Sequence, residues 1–363
     1  TGDDLVADEA AINISDANGN FTIDFGAAPT MSLGSTVFYD VDDSGAQDSG
    51  NPLESGIGGA TVNLYFDANG DGMLDATELM TPIATTVTDA DGDYLFASLA
   101  TGVYLVGVLA PGDAIAASTT QAVADDNGDG LNDGAQALGA GAGNESLSGP
   151  VELTPGDEPQ GGDEAAQGGK QDDTAPLQDA NGNMTVDFGF IPTNSVGSTV
   201  FFDMNDNGEQ DSPNDVRVAG ATVELYVDTD GDGTPDMLAG TTMTDADGVY
   251  LFDSLPNGTY NVVIPLGPDG GMTPSSVSDA TDADEAVQNG TTQPDGSVAS
   301  EPFDLMSGTE PVETNTLDGD DQDADNDLNG NMTIDFGFLP PMSLGRTVFY
   351  DVDDSGDQDA GNP

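Results

Sequence analysis

Residues Asp67 to Glu78 read D-x-N-x-D-G-x-x-D-x-x-E, a spacing that turns oxygens at alternate positions toward one point. Asp67, Asn69 and Asp71 supply the first three ligands. Gly72 permits the sharp turn, Met73 offers its backbone carbonyl, Asp75 acts directly or through water, and Glu78 closes the site with both carboxylate oxygens. An all-oxygen set of this kind suits Ca2+, which takes roughly six to eight oxygen ligands. Five related loops recur. Asp40, Asp42, Ser44 and Asp48 form one, and Asp203, Asn205, Asn207 and Asp211 form its partner. Asp351, Asp353, Ser355 and Asp359 begin a third copy. Asp228, Asp230, Asp232 and Asp236 match the 67–78 loop but place Ala239 at position twelve. Asp125, Asn127, Asp129 and Asp133 match it with Gln136 there. One such string in an acidic chain is equally well a solvated turn; six strings, several at corresponding repeat positions, favour a cation.

The rest of the composition narrows the chemistry. The chain of 363 residues carries 68 acidic and three basic side chains, a formal net charge of −65, and has no Cys, His or Trp. Such a charge repels phosphate backbones and anionic lipid, which argues against nucleic-acid and membrane-surface partners. Without Cys or His there is no thiol nucleophile, imidazole base, disulfide or ordinary zinc site. No apolar run approaches the roughly 20 residues of a membrane-spanning helix. Adaptation to concentrated salt would account for the charge, but not for Asp at alternate positions before Gly.

The elements that must position these loops repeat. GSTVFYD at 34–40 returns as GSTVFFD at 197–203 and GRTVFYD at 345–351, and NGNFTIDFG at 18–26 returns at 181–189 and 329–337. The expected organisation is a C-terminal tail of a preceding repeat over 1–30, repeats over 31–193 and 194–341, and the start of another over 342–363. Residues 342–363 match 31–52 at 19 of 22 positions but 194–215 match 31–52 at only 13. Two domain types therefore alternate, as in a window cut from a longer array. Val37 and Tyr39 alternate with Thr36 and Phe38, and Val62 and Leu64 with Thr61, Asn63 and Tyr65. Period-two patterning between Gly, Asn and Asp turns predicts an all-β fold of tandem Ig-like or prealbumin-like antiparallel β-sandwiches with long calcium-binding loops. TDADGDY at 88–94 supplies a D-G hairpin signal. The stretches 112–145, 155–180 and 268–330 are polar and Gly-rich and read as loops.

These blocks, G-S-T-V-F-Y-D-x-D-x-S-G-x-Q-D, G-I-x-G-A-T-V-x-L-Y, T-D-A-D-G-x-Y-x-F and N-x-T-V-D-F-G-F, fall in order along nearly the whole chain. They resemble the B-type repeats of bacterial serine–aspartate surface adhesins, relatives of the collagen-adhesin B-type domains. The resemblance implies calcium-binding β-sandwich modules that act as stiff spacers on cell surfaces, with ligands at Asp40, Asp42, Ser44, Asp48 and their counterparts. It also implies an acid soon after this loop, for which Glu54 and Asp215 are the candidates. Some relatives carry a Lys–Asn or Lys–Asp crosslink in each domain. The single Lys170 sits in a Gly-rich stretch and two repeats cannot share it, so none is expected.

The expected function is a non-enzymatic structural segment of an extracellular filament or cell-surface stalk. Its partners would be calcium ions and neighbouring repeats or copies of itself, and Pro192, Pro340 and Pro341 would stiffen the joints. The alternative is an adhesin that binds a ligand through its long loops. An enzyme is disfavoured, because every clustered carboxylate pair already fits ion ligation and no nucleophile is matched with a base.

Overall fold

The structure, a computed structural model, describes residues 31–48, 50–69, 81–109, 112, 114–117, 145–159, 181–210, 214–265, 273–277, 290–311 and 329–340. The fold is all-β, and no helix among the described residues is long and apolar enough to cross a membrane. The first repeat contributes β1 (Met31–Tyr39), β2 (Thr61–Asp67), β3 (Ala84–Val87), β4 (Asp93–Leu99), β5 (Gly102–Leu109), β6 (Ala114–Ala117), β7 (Glu145–Leu147), β8 (Val151–Leu153), β9 (Gly182–Asn183) and β10 (Phe188–Pro192). The second contributes β11 (Asn194–Phe202), β12 (Val216–Arg217), β13 (Thr222–Val227), β14 (Met237–Met243), β15 (Val249–Leu255), β16 (Gly258–Ile264), β17 (Thr273–Pro274), β18 (Thr291–Thr292), β19 (Val298–Ala299), β20 (Phe303–Leu305), β21 (Gly330–Asn331) and β22 (Phe336–Leu339).

The chain divides into two compact units. One is Thr1–Phe38, Gly56–Leu109 and Thr119–Gly189; the other is Tyr39–Ser55, Ala110–Ser118 and Phe190–Pro363. In the second unit, one sheet runs β12-β11-β22-β17, with β15 and β21 also paired to β11. The other runs β14-β13-β16-β19-β18, with β20 on β16. The predicted alternation decides which side chains lie between them. Val223, Leu225 and Val227 of β13 are buried while Thr222 is exposed and Glu224 and Tyr226 are half-buried. Val196, Val200, Tyr250, Phe336 and Phe338 from one sheet and Val223, Leu225, Tyr260, Val262 and Leu305 from the other form a single core, which Leu53 joins. This is a β-sandwich core, driven by removal of apolar surface from water.

In the first unit β2 lies between β3 and β5, with β7 and β8 on the far edge of β5, and β1 pairs with β4 and β9. The same two hydrogen bonds occur within each unit. The Tyr94 hydroxyl donates to the Val186 carbonyl at 2.6 Å, as Tyr250 donates to Ile334 at 2.6 Å. Tyr104 donates back to Ala100 and Tyr260 to Pro256, each at 2.9 Å.

Two features differ from the sequence expectation. The sheets are not antiparallel throughout: β1 pairs parallel with β9, and β11 pairs parallel with β21 and β22. Strands also lie in stretches read as loops, namely β6 before 118 and β17 to β20 within 268–330. Most of these are two or three residues long, too short for period two to register against a polar background.

Candidate metal centres

The first acid loop leaves β1 at Tyr39. Asp40 is fully buried. Its Oδ1 accepts the Ser44 amide at 3.0 Å and its Oδ2 accepts the Gly45 amide at 2.8 Å. Asp42 Oδ1 accepts the Ser44 amide as well, at 3.0 Å. The chain curls tightly enough to do this because Asp43 and Gly45 sit in the left-handed region, with φ of 56° and 83°. The loop then turns back so that Glu54, also buried, stands over it. Glu54 accepts the Asp48 amide at 2.6 Å and the Asn51 side-chain amide at 3.0 Å. Ligand oxygens of Asp40, Asp42 and Glu54 all lie within 4.8 Å of one another. Burial, together with the nearby Asp42 and Asp48 carboxylates, pushes the Glu54 carboxyl up, although the Asp48 amide and Asn51 oppose the shift.

The partner loop in the second repeat has the same curl. Asp206 and Gly208 have φ of 58° and 83°. Asp203, fully buried, receives amides of Asn205, Asp206 and Asn207 on Oδ1 and that of Gly208 on Oδ2, at 2.7 to 3.3 Å. Burial alone would push its carboxyl up, but these amides and the Ser275 hydroxyl outweigh it and hold the group below the usual range. Gly208 is required on two counts, since a Cβ there would also run into the Val277 backbone carbonyl. Asp206 fastens the loop to the 273–277 segment through the Ser276 amide and hydroxyl, at 2.6 and 2.8 Å. Asp215, the other candidate acid, accepts the Met204 amide at 2.8 Å.

In the 228–236 loop, Asp228, Asp230 and Asp232 bring oxygens within 4.8 Å of one another on an open surface. Asp228 takes the amides of Asp230, Gly231 and Gly233. Asp236 turns aside: its Oδ1 accepts both the amide and hydroxyl of Thr229. A third convergence, Asp89, Asp91 and Asp93, lies where the sequence shows a hairpin turn. Asp89 Oδ1 accepts the amides of Asp91 and Asp93 at 3.0 Å each, and Asp93 accepts the Thr36 hydroxyl. Its spacing D-x-D-x-D was visible, but the D-G signal gave it a turn role. The equivalent triplet in the second repeat is Asp245, Asp247 and Val249, one carboxylate short.

Of the candidate ligands in the 67–78 loop, only Asp67, buried at the end of β2, and Asn69 are among the described residues. Asp71, Met73, Asp75, Glu78, Asp125, Asn127, Asp129, Asp133, Asp211, Asp351, Asp353, Ser355 and Asp359 lie outside the described residues. The donors that do converge are carboxylates, with no nitrogen or sulfur among them. A hard cation matches that set better than zinc or copper, and these clusters could hold a metal ion.

Sandwiches of this build, each with a first strand opening into an acid-lined loop, define a protein of tandem Ig-like β-modules. Residues 31–148 and 194–305 both match the SdrD B-like domain, and the chain belongs to that family. Serine-aspartate repeat-containing protein D of Staphylococcus aureus (strain Newman) is 30% identical over 346 residues, covering 94% of this chain and 19% of that protein. Serine-aspartate repeat-containing protein F of Staphylococcus epidermidis is 28% identical over 360 residues, covering 98% and 15%. The chain thus spans a fifth or less of the length of these relatives. Among solved structures, a shaft pilin from Lactobacillus rhamnosus GG is similar at a TM-score of 0.26 and 12% identity, covering 87% of this chain and 100% of that one. That score is too low to inform function.

Proposed function

We infer that the chain is a non-enzymatic structural segment of an extracellular filament or cell-surface stalk, whose β-sandwich modules are rigidified by Ca2+. The observation that carries this reading is the Asp40–Asp42–Glu54 cluster, where two of three converging carboxylates are buried. Ionised carboxylates packed this closely repel one another, and a divalent ion replaces that repulsion with attraction. The same reading extends to Ser44 and Asp48 beside them, to Asp203, Asn205, Asn207 and Asp211, and to Asp228, Asp230, Asp232 and Asp236. Membership of the SdrD B-like family and the similarity to serine-aspartate repeat-containing proteins D and F support an extracellular setting. Calcium binding by these loops lowers the free energy of the folded state alone and so stabilises it.

The test is thermal unfolding of the whole chain with chelator and with millimolar CaCl2, at matched ionic strength so that screening is constant. Calcium is expected to raise the midpoint by several degrees. Asp42→Asn combined with Glu54→Gln should remove part of that gain. Identical midpoints in calcium and in chelator would overturn the proposal.

A further inference from the structure

The two repeats treat the outer face of the β13–β16 sheet and its counterpart differently. In the first repeat Tyr65 stands opposite Leu105, and Asn63 opposite Gly107, which stands opposite Leu147. Tyr65, Leu105 and Leu147 form a small buried cluster. Glu145 seals it, accepting the Tyr65 hydroxyl at 3.0 and 3.1 Å and the Asn63 amide at 2.9 Å. Gly107 leaves the space these side chains fill, since a Cβ there would collide with both Glu145 and Leu147.

The second repeat keeps the tyrosine and removes the seal. Tyr226 stands opposite Asn261, Glu224 opposite Val263, and Val263 opposite Ala299. Leu105 has become Asn261, and Leu147 has become Ala299. Two residues before Ala299 stands Ser297, where the first repeat has Glu145 two before Leu147. The space so vacated is a groove of about 400 Å3. Val263 and Ala299 form an apolar floor, Pro235 a wall, and Tyr226, Asn261 and Asp295 its polar lining. The lining is rich in acceptors. Asn261 lines the groove, and its side-chain carbonyl is buried with no hydrogen-bond donor among the described residues. Glu224 accepts the Tyr226 hydroxyl at 3.1 Å, which brings a second carboxylate beside the ring. Two hydrogen bonds from Ser297 hold the Asp295 carboxyl below the usual range, so it is ionised at neutral pH.

We propose that this groove binds an arginine side chain presented by a basic segment of a partner protein. A guanidinium has donors only, stacks on a tyrosine ring, and is weakly hydrated, while its aliphatic stem matches the apolar floor. A chain with a formal net charge of −65 draws such a partner toward it. General attraction of that kind would be diffuse; the groove gives it a place.

The experiment separates the two. Amide spectra of the full chain are recorded while a capped Gly-Arg-Gly peptide is added, with the citrulline peptide as a neutral isostere. Saturable shifts are expected at Asn261 and across residues 293–299, with the citrulline peptide at least tenfold weaker. Ala299→Leu and Asn261→Leu install the residues that already pack at these places in the first repeat. Neither alters the charge, and each is expected to weaken the arginine peptide at least tenfold. Equal binding by wild type and both variants would mean diffuse attraction and would overturn the proposal. So would equal binding of the citrulline peptide, or shifts of the same resonances by a neutral oligosaccharide and not by the arginine peptide.

Discussion

The aspartate of the DFG block does more than keep a strand's alternation. Asp335 is buried, and its Oδ1 accepts the Ser198 hydroxyl, the Thr199 amide and the Thr199 hydroxyl, at 2.7 to 3.1 Å. In the first repeat Asp187 Oδ1 accepts the Ser35 hydroxyl and the Thr36 amide, while the Thr36 hydroxyl goes to Asp93 instead. Each ties the segment before the last strand to the first strand of its repeat. Replacing Asp335 with Ala leaves three buried donors unanswered and is expected to cost about 3 kcal/mol. Urea denaturation of the variant should show the loss in the second unit, with the first unit unchanged. Asp203 has a pH signature. Its folded carboxyl holds a proton less tightly than an unfolded Asp, near 3.9. The ionised group therefore stabilises the fold at neutral pH, and that contribution declines as pH falls below about 4 and through the folded value. In chelator, the stability gap between wild type and Asp203→Asn should be widest near pH 7 and close toward pH 2, measured by denaturation at each pH. A gap that is constant with pH would contradict the assignment. Neither role was legible in the sequence, because an aspartate in an alternating strand looks the same whether it faces water or a buried serine. The loop acids were legible as oxygens in a ligand spacing. Glu54 was named only through the family resemblance; the spacing alone does not give its convergence with Asp40 and Asp42, which depends on how residues 50–53 return the chain.

At the scale of elements, the short strand β7 acts as a cover. Glu145 and Leu147 project from it onto the Tyr65 face. Burial and the adjacent Glu145 push the Tyr65 phenol well above its ordinary range. Glu145→Ala should therefore destabilise the first unit by on the order of 2 kcal/mol and bring Tyr65 back toward normal titration, read as tyrosinate absorbance in an alkaline titration. An unchanged titration curve would show that burial alone sets the shift. The long strands were readable because Val62, Leu64, Val223 and Leu225 alternate with polar or aromatic partners over several residues. Strands such as β18 and β19, two residues each, carry no period to read. β19 is placed by its pairing with β16, a non-local contact that local propensity does not encode, and β18 by its pairing with β19.

For the molecule as a whole, the repeat structure was the most legible level, since GSTVF and NGN-x-T blocks recur as phrases. The departure of the second repeat from the first was visible as substitutions, Leu105 against Asn261 and Leu147 against Ala299, but their joint effect was not. They act together only because the strand register places them side by side. The parallel pairing of β11 with β22 carries a further consequence. Val200 meets Phe336 and Phe202 meets Phe338, so the opening and closing strands of that repeat run side by side in the same direction. Tension that drew the chain out from its two ends would slide one strand along the other and strain the rungs between them together, whereas an antiparallel hairpin pulled at its open end parts one rung at a time.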